Sequence, residues 1–264
     1  MLYTSNRMDQ QSLELCPQDF CLPKNLRMLL IGGSGVGKST YMLQMVKHRE
    51  SIFAQHYSKI LFCSPNLKEG MCAPRDQKFM TDMESFASPL PVVWFDHFIT
   101  LEELMAETQY EESEDHNRVL LFVDDFPSEI YNSPVLVQLF TRLSSHGQID
   151  ACIAVHQSLG SREKYFNIVF QSANVITIFR SNSDRLSLAF LGRKLFPYAK
   201  QFLQGCMEKV GLICGAFTPL LIDCSLTNYK LNHLFSVRSG NIFPTNPEEY
   251  VPVLYFRNPY HNCE

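Results

Sequence analysis

The chain has 264 residues, of which 45% are hydrophobic and 19% are charged, and its formal net charge is -4 at pH 7. This composition argues against a disordered chain, and it is sufficient for the core of one domain with extensions. The negative charge argues against a protein that coats nucleic acid through bulk electrostatics, although it leaves open a ring with a basic pore.

Two further features narrow the class of protein. No uninterrupted apolar stretch approaches the roughly 18 residues of a membrane span, and the amino terminus lacks the pattern of a signal peptide. We therefore expect an intracellular protein without membrane insertion. Nine cysteines occur without a C-x-x-C pair, which favours reduced, mostly buried thiols over a metal site or disulfides.

Apolar runs alternate with helix-like stretches along most of the chain. Residues before about 26 are polar and predict an N-terminal arm. Strands are predicted at 26–31, 59–64, 91–95, 119–123, 151–155, 175–179 and 220–223, and helices at 41–49, 101–108, 134–145, 186–195 and 197–205. The acidic stretch 111–117 predicts a loop. This alternation predicts an α/β fold, a mostly parallel sheet flanked by helices, with a ligand at the carboxyl ends of the strands.

The connection between the first strand and the first helix carries the most specific motif. Residues 32–40 read Gly-Gly-Ser-Gly-Val-Gly-Lys-Ser-Thr, which satisfies the P-loop pattern G-x-x-x-x-G-K-[ST]. Such a loop turns backbone N–H groups toward phosphates, while the lysine adds a point charge and the serine offers a hydroxyl to Mg²⁺. The predicted nucleotide-binding residues are Gly32, Gly33, Ser34, Gly35, Val36, Gly37, Lys38, Ser39 and Thr40, and ATP or GTP is the expected ligand.

A second motif follows the continuously apolar strand at 119–123. Asp124 and Asp125 end this strand, as in the Walker B pattern, where the first acid holds Mg²⁺ and the next commonly polarises the attacking water. We expect Ser39 and Asp124 to hold the metal and Asp125 to act as general base. Aspartate is shorter than the glutamate that many relatives have at this second position.

Polar residues after the next two strands complete the predicted catalytic set. Gln157 ends the strand at 151–155 and is expected to sense the γ-phosphate or the attacking water, whereas His156 is expected to face away. Arg180 and Arg185 follow the strand at 175–179 and are candidates for an arginine that completes a neighbouring subunit's site in a ring. Solvation or contact with DNA phosphates is equally compatible with either arginine.

Charge is unevenly distributed along the chain. Residues 102–115 are strongly acidic and are expected to form a solvated face. Most of the charged residues in 162–200 are basic. The loop with Arg162 and Lys164 is a candidate for DNA contact, and a simple connecting loop explains it equally well.

The motifs in this order resemble those of the DNA-packaging ATPases of Polinton/Maverick elements and adintoviruses. The likeness combines the P-loop with Leu-Leu-Phe-Val-Asp-Asp, Val-His-Gln-Ser-Leu and the segment from Tyr165 to Arg180, and it extends over residues 26–243. That group belongs to the FtsK/HerA superfamily together with the poxvirus-type packaging ATPases. The resemblance implies a RecA/FtsK-like P-loop NTPase domain at 26–243, with an arm at 1–25 and a C-terminal tail at 244–264.

The resemblance also implies a function and a set of partners. The expected activity is ATP hydrolysis by an oligomeric ring that moves double-stranded DNA into a preformed capsid, with ATP and Mg²⁺ bound and with capsid or portal-vertex proteins as partners. Its place would be the host cell at the site of virion assembly. In the family the strand after the sensor is usually followed by Lys-Asn-Pro-Arg-Asp, whereas here Ser183 occupies the arginine position. Either Arg185 or Arg180 substitutes, or the trans-acting arginine is altered.

Two alternatives from other classes remain open on sequence alone. A nucleoside or nucleotide kinase shares the P-loop and a chain of this size, but it needs an arginine-rich lid and an acceptor pocket that the sequence does not mark. A virion assembly protein with a decayed NTPase site is favoured by the missing arginine. It is disfavoured by the intact Lys38, Ser39 and Asp124.

Overall fold

One sheet organises the computed structural model of this chain. The structure describes residues 22–53, 55–68, 72–108, 118–131, 133–144, 148–156, 164–180, 185–195, 202–213, 219–224, 234–236 and 254–256. Within these residues the sheet has nine strands in the order β3-β2-β4-β5-β1-β6-β7-β8-β9. The predicted α/β class with a mostly parallel sheet is therefore confirmed.

Six strands form the parallel part of the sheet: β1 (Arg27–Ile31), β2 (Lys59–Cys63), β3 (Val92–Phe95), β4 (Val119–Val123), β5 (Ile149–Val155) and β6 (Val175–Ile178). Strand β5 lies between β4 and β1 and pairs with both. Because the carboxyl ends of parallel strands share one edge, whatever follows β4, β5 and β1 is brought together there.

Three antiparallel strands extend the sheet beyond β6: β7 (Leu220–Asp223), β8 (Leu234–Ser236) and β9 (Leu254–Phe256). Neither β8 nor β9 is among the strands predicted from sequence, since each is only three residues long. The domain boundaries stay predictions, although β9 lies within the predicted tail and joins the sheet.

Helices cover both faces of the sheet. The first six are α1 (Lys38–Lys47), α2 (Arg49–Ile52), α3 (Pro74–Ala87), α4 (Leu101–Thr108), α5 (Ser128–Tyr131) and α6 (Pro134–Gln138), and further helices span Lys164–Ser172, Arg185–Leu195 and Phe202–Ile213. Met42 of α1 and Met83 of α3 belong to one core cluster, whereas Leu104, Leu136 and Leu191 belong to the other. No helix in the described part of the chain is long and apolar enough to cross a membrane.

The strands supply alternate side chains to these two cores. Leu29, Leu121 and Ile153 face one cluster, and Met28 and Phe122 face the other. All of these residues are buried. A central strand covered on both faces must be apolar throughout, which explains why β4 is a continuous hydrophobic run.

A polar cluster fastens the amino end of β1, at the edge of the sheet opposite the glycine-rich loop. The fully buried Asp150 accepts hydrogen bonds from Leu26 N–H at 2.9 Å and the Tyr57 hydroxyl at 2.6 Å. It also lies 3.0 Å from Arg118 Nη2 and accepts from the amide of Gln55. Multiple donors satisfy a carboxylate that burial would otherwise destabilise.

Several helix predictions require correction. The helix predicted at 134–145 is divided into α6 and a π-helical turn, Leu139–Leu143. The helix predicted at 197–205 is observed at Phe202–Ile213, and 196–201 lie outside the described residues. Lys164, predicted in a loop, begins a helix, because the apolar residues 166, 169 and 170 recur at helical spacing and are buried. Helix α3 is not among the predicted elements.

Other predictions hold or lie outside the described residues. Helix α4 has the predicted bounds, and the strand predictions for β1–β7 agree within two residues at each end. The predicted acidic loop at 111–117 lies outside the described residues. Of the described cysteines, Cys63, Cys152 and Cys206 are buried, and Cys72 and Cys224 are half-buried.

Candidate functional site

The loop between β1 and α1 is shaped by its glycines. Gly37 has a φ of 100° and precedes Lys38, the first helical residue, and no side chain caps the helix. At Gly32 a Cβ atom would lie 2.8 Å from Phe179 Cβ and 2.9 Å from Val36 Cγ2, so only glycine fits. The uncapped N–H groups at the start of this ten-residue helix form the positive end of its dipole, which favours an anion.

Lys38 lies inside this loop, with only 4% of the residue exposed. Its Nζ donates to the carbonyls of Gly32 at 2.7 Å and Gly33 at 2.6 Å, and it lies 3.3 Å from His156 Nδ1. Burial lowers the pKa of the Lys38 ammonium, while the charges of Asp124 and Asp125 act in the opposite direction. The Lys38 ammonium therefore places a positive charge between the loop and the two acids.

Ser39 and Asp124 meet at the centre of the site. The Ser39 hydroxyl donates to Asp124 Oδ2 at 2.5 Å, and Asp124 is 6% exposed. Burial raises the pKa of Asp124, whereas the hydrogen bond from Ser39 lowers it. A hydroxyl and a carboxylate side by side are ligands that Mg²⁺ accepts when substrate phosphates and waters supply the rest. Among the described residues, no group of three or more His, Cys, Asp or Glu side chains is placed to hold a metal ion.

Asp125 occupies an unusual backbone conformation, with a φ of 63°. Aspartate tolerates this left-handed region better than most residues, and such positions are found at functional sites. The side chain is 45% exposed, and its Oδ1 lies 2.8 Å from His156 Nε2. Asp125 is thus a half-exposed carboxylate at the mouth of the site, next to the buried Asp124.

His156 lies in the site, and the prediction that it faces away is wrong. Its ring lies between Lys38 Nζ and Asp125 Oδ1, at 3.3 Å and 2.8 Å. The physical reason is the strand order: β5 runs between β1 and β4, so its carboxyl end lies between the loop and the two acids. Burial, and then the charge of Lys38, lower the pKa of His156, while Asp125 and Asp124 oppose this.

Asn66 is a second site residue that sequence reasoning missed. It belongs to the short 3-10 turn Pro65–Leu67 after β2, and its side-chain amide donates to Asp125 Oδ2. Strand β2 pairs with β4, so the residues after these two strands are neighbours. The signal in the sequence was a polar residue just after a strand end, but its use requires the strand order.

Tyr131 fixes the segment that follows the two acids. Its hydroxyl lies 2.5 Å from the Ala154 carbonyl of β5 and 3.2 Å from the Phe126 carbonyl. The side chain is buried. The Tyr131 hydroxyl thus connects the segment after Asp125 to β5, the strand that His156 follows. Asp125 and His156 are therefore anchored to the same part of the sheet.

The remaining predicted loop residues differ in exposure. Gly33 and Val36 are half-buried, whereas Ser34 and Gly35 are exposed at the tip of the loop. Thr40 is exposed on the first turn of α1. The structure thus places the nine predicted nucleotide-binding residues in one loop and helix start, with Gly32 and Lys38 buried at its base.

The predicted sensor and one of the two predicted arginines lie wholly or partly outside the described residues. Gln157 lies outside the described residues. Arg180 is exposed just after β6, and no described contact brings it to Lys38 or Asp124. Arg185 begins the helix Arg185–Leu195, and its side chain is outside the described part, as is Ser183. The roles of these residues stay predictions.

No protein-family model and no curated protein sequence shows significant similarity to this chain.

Proposed function

We propose that this chain hydrolyses ATP with Mg²⁺ and uses that reaction, as an oligomeric motor, to move double-stranded DNA into a preformed capsid. One observation carries the catalytic part of the proposal: Lys38, Ser39, Asp124 and Asp125 converge at the carboxyl edge of the sheet. These are the residue types that P-loop enzymes use for phosphate binding, metal binding and water activation. A P-loop NTPase of RecA/FtsK type is the fold assignment that goes with it.

The phosphate site is formed by the glycine-rich loop and Lys38. Uncapped N–H groups at the start of α1 would donate to phosphate oxygens, and the Lys38 ammonium would place a full charge beside them. Ser39 Oγ and the Asp124 carboxylate would hold Mg²⁺, which neutralises charge on the phosphates when it is bound. The burial of Asp124 excludes water from one side of this position.

Asp125 is suited to the role of general base. It is the more exposed of the two acids, its Oδ2 accepts a hydrogen bond from the Asn66 amide, and its Oδ1 lies 2.8 Å from His156 Nε2. As a water oxygen attacks the γ-phosphorus, Asp125 would accept the proton of that water, and ADP would leave with the electron pair of the broken P–O bond. Asn66, which follows the neighbouring strand β2, would orient the base.

The coupling of hydrolysis to DNA movement is supported by the family resemblance and by charge. Residues 162–200 carry seven lysines and arginines against two acidic residues, a charge balance that suits a surface that tracks phosphates. Arg180 and Arg193 are exposed in the described part of this segment and could contact DNA or a neighbouring subunit. Binding phosphates rather than bases suits transport that is independent of sequence.

The decisive experiment measures ATP turnover by the full chain with and without double-stranded DNA. Lys38→Ala and Asp125→Asn are each expected to lower kcat by roughly 100-fold or more. Lys78→Ala and Asp82→Asn are matched controls, because these two residues form an exposed ion pair on α3. Both controls are expected to retain the activity of the natural chain.

Three results would contradict the proposal in different ways. Absence of ATP turnover would remove the catalytic part. Turnover that DNA does not stimulate would remove the motor, and transfer of phosphate to a nucleoside would indicate a kinase instead. Light scattering with and without ATP tests the ring, because a strict monomer cannot use an arginine from a neighbour.

A further inference from the structure

The Lys38 ammonium has no free donor in this structure. An ammonium carries three N–H groups, and three acceptors surround Nζ: the carbonyls of Gly32 and Gly33 and Nδ1 of His156. The His156 contact, at 3.3 Å, is longer than the two carbonyl contacts at 2.7 and 2.6 Å. A phosphate oxygen that binds Lys38 must therefore replace one acceptor, and His156 is the one held least tightly.

The same contact fixes the tautomer of His156. An ammonium cannot accept a hydrogen bond, so Nδ1 must be the acceptor and the ring proton lies on Nε2. Nε2 lies 2.8 Å from Asp125 Oδ1 but makes no regular hydrogen bond with it. The ring thus satisfies Lys38 at the expense of a well-aligned bond to Asp125.

We propose that His156 is a positioning residue that couples occupation of the phosphate site to the orientation of Asp125. This inference rests on the proposed ATP hydrolysis. When a phosphate takes the place of Nδ1 at Lys38, the ring is released, and Nε2–H aligns with Asp125 Oδ1. The base is then held by two donors, His156 and Asn66, only when nucleotide is present.

The other groups around the ring leave this role to His156. Asn66 contacts Asp125 but not Lys38, and Ser39 is bonded to Asp124. Among the described residues, His156 is the side chain that contacts both Lys38 and Asp125. Its place at the end of β5, between the strands that carry the other two, explains why it can reach both.

Two substitutions separate the two contacts. The amide of His156→Asn lies where Nδ1 does and can reach Lys38, but it is too short for Asp125. The amide of His156→Gln extends to the position of Nε2 and can donate to Asp125. His156→Ala removes both contacts, and His56→Asn is the matched control, because the His56 side chain is 93% exposed.

The test is steady-state ATP hydrolysis with Mg²⁺, together with affinity for a non-hydrolysable ATP analogue. We expect His156→Asn and His156→Ala to lower kcat by about 10- to 100-fold, and His156→Gln to restore most of it. His156→Gln and His156→Ala should bind the analogue as tightly as the natural chain or more tightly, since Lys38 is freed. Thermal unfolding confirms that each variant is folded, and His56→Asn should match the natural chain.

A second measurement observes the ring directly. Nitrogen chemical shifts of the histidines, with His156 assigned by comparison with His156→Asn, report the partner of each ring nitrogen. The analogue with Mg²⁺ should change the Nδ1 shift as the Lys38 contact is lost. This readout does not require turnover, so it also applies if the chain binds nucleotide without hydrolysing it.

The outcomes distinguish the inference from the proposed function. If the natural chain hydrolyses ATP and His156→Ala does so equally fast, or His156→Gln is as impaired as His156→Ala, the inference is wrong and the function stands. An unchanged Nδ1 shift on analogue binding also overturns it. A natural chain that neither binds nor hydrolyses ATP contradicts both.

Discussion

Ser39 and Asp124, 85 residues apart in sequence, are joined by a hydrogen bond of 2.5 Å from the serine hydroxyl to the carboxylate Oδ2. Ser39 is the second residue of α1, which follows β1, whereas Asp124 follows β4, and β5 lies between β1 and β4 in the sheet. The bond therefore spans the width of one strand. It joins the start of the helix that carries Lys38 to the acids after β4.

Removing either partner of this bond should impair use of Mg²⁺. Asp124→Asn is expected to lower kcat for ATP hydrolysis by roughly 100-fold, because the buried charge that would face Mg²⁺ is lost. Ser39→Ala should cost about tenfold, the equivalent of one hydroxyl ligand, and part of this loss should be recovered at higher Mg²⁺. ATP turnover at varied Mg²⁺ is the measurement.

Ser51→Ala provides the control for this pair. Ser51 is exposed on α2 and its hydroxyl donates to the His48 carbonyl, away from the site. It should show the Mg²⁺ dependence of the natural chain. Equal Mg²⁺ dependence in Ser39→Ala and Ser51→Ala would show that the serine hydroxyl is not a ligand.

Substitution of Gly37 should lower the stability of the fold because of the backbone conformation at this position, and not because a side chain would be crowded. A Cβ atom here would meet nothing within 4 Å, but the φ of 100° is unfavourable for an L-residue. Gly37→Ala should lower the free energy of unfolding by about 1–2 kcal/mol, and Gly37→Asn by less, since asparagine tolerates positive φ. Urea unfolding checks this order, and equal losses would contradict it.

Asp150 should be essential to stability but not to chemistry. Asp150→Ala leaves Arg118, whose side chain is 13% exposed, without its ion-pair partner. The expected loss is about 3–5 kcal/mol in the free energy of unfolding. Asp82→Ala, which breaks an exposed pair with Lys78, should cost less than about 1 kcal/mol. Similar losses in the two variants would show that the Asp150 cluster is not a fastening point.

The pH dependence of stability should carry the sign of a raised carboxyl pKa. Burial, acting against the donors Tyr57 and Arg118, raises the pKa of Asp150 above 3.8 in the folded state. The folded protein therefore binds a proton more readily than the unfolded chain does. The contribution of this group to stability should rise as pH falls through its folded pKa, and it should level off below 3.8.

Asp150→Asn cannot titrate at this position and provides the comparison. The free energy of unfolding of the natural chain, relative to that of Asp150→Asn, should increase as the pH is lowered from 7 toward 4. A relative stability that falls over this range would indicate that the donors outweigh burial and that the pKa is lowered.

The sequence predicts the parts of the site that short motifs encode. Lys38 and Ser39 follow β1 and Asp124 follows β4, because a glycine-rich motif marks the end of the first strand and a buried parallel strand needs a continuous apolar run. The order of strands in the sheet is not encoded in this way. It depends on which crossovers pack best, and no single segment carries that information.

His156 and Asn66 show the consequence of that limit. Each follows a strand end, and each contacts Asp125 only because β5 and β2 flank β4. Without the strand order, nothing in the sequence favours His156 over Gln157 as a site residue. The hydrophobic pattern does not predict helix α3 because its apolar face is narrow. Of its fourteen residues only Met83 and Ala87 are buried.

The burial of Cys152 makes the scaffold of this site measurable by thiol labelling. Cys152 lies on β5 opposite Met28 of β1 and Phe122 of β4, and none of its surface is exposed. Its side chain lies in the core cluster that includes Met42 and Met45 of α1, so a thiol reagent reaches it only after the helices that cover this face of the sheet have separated from it. The rate at which Cys152 is alkylated therefore measures how often the helix that carries Lys38 opens, and a ligand that ties the loop to the acids should slow it.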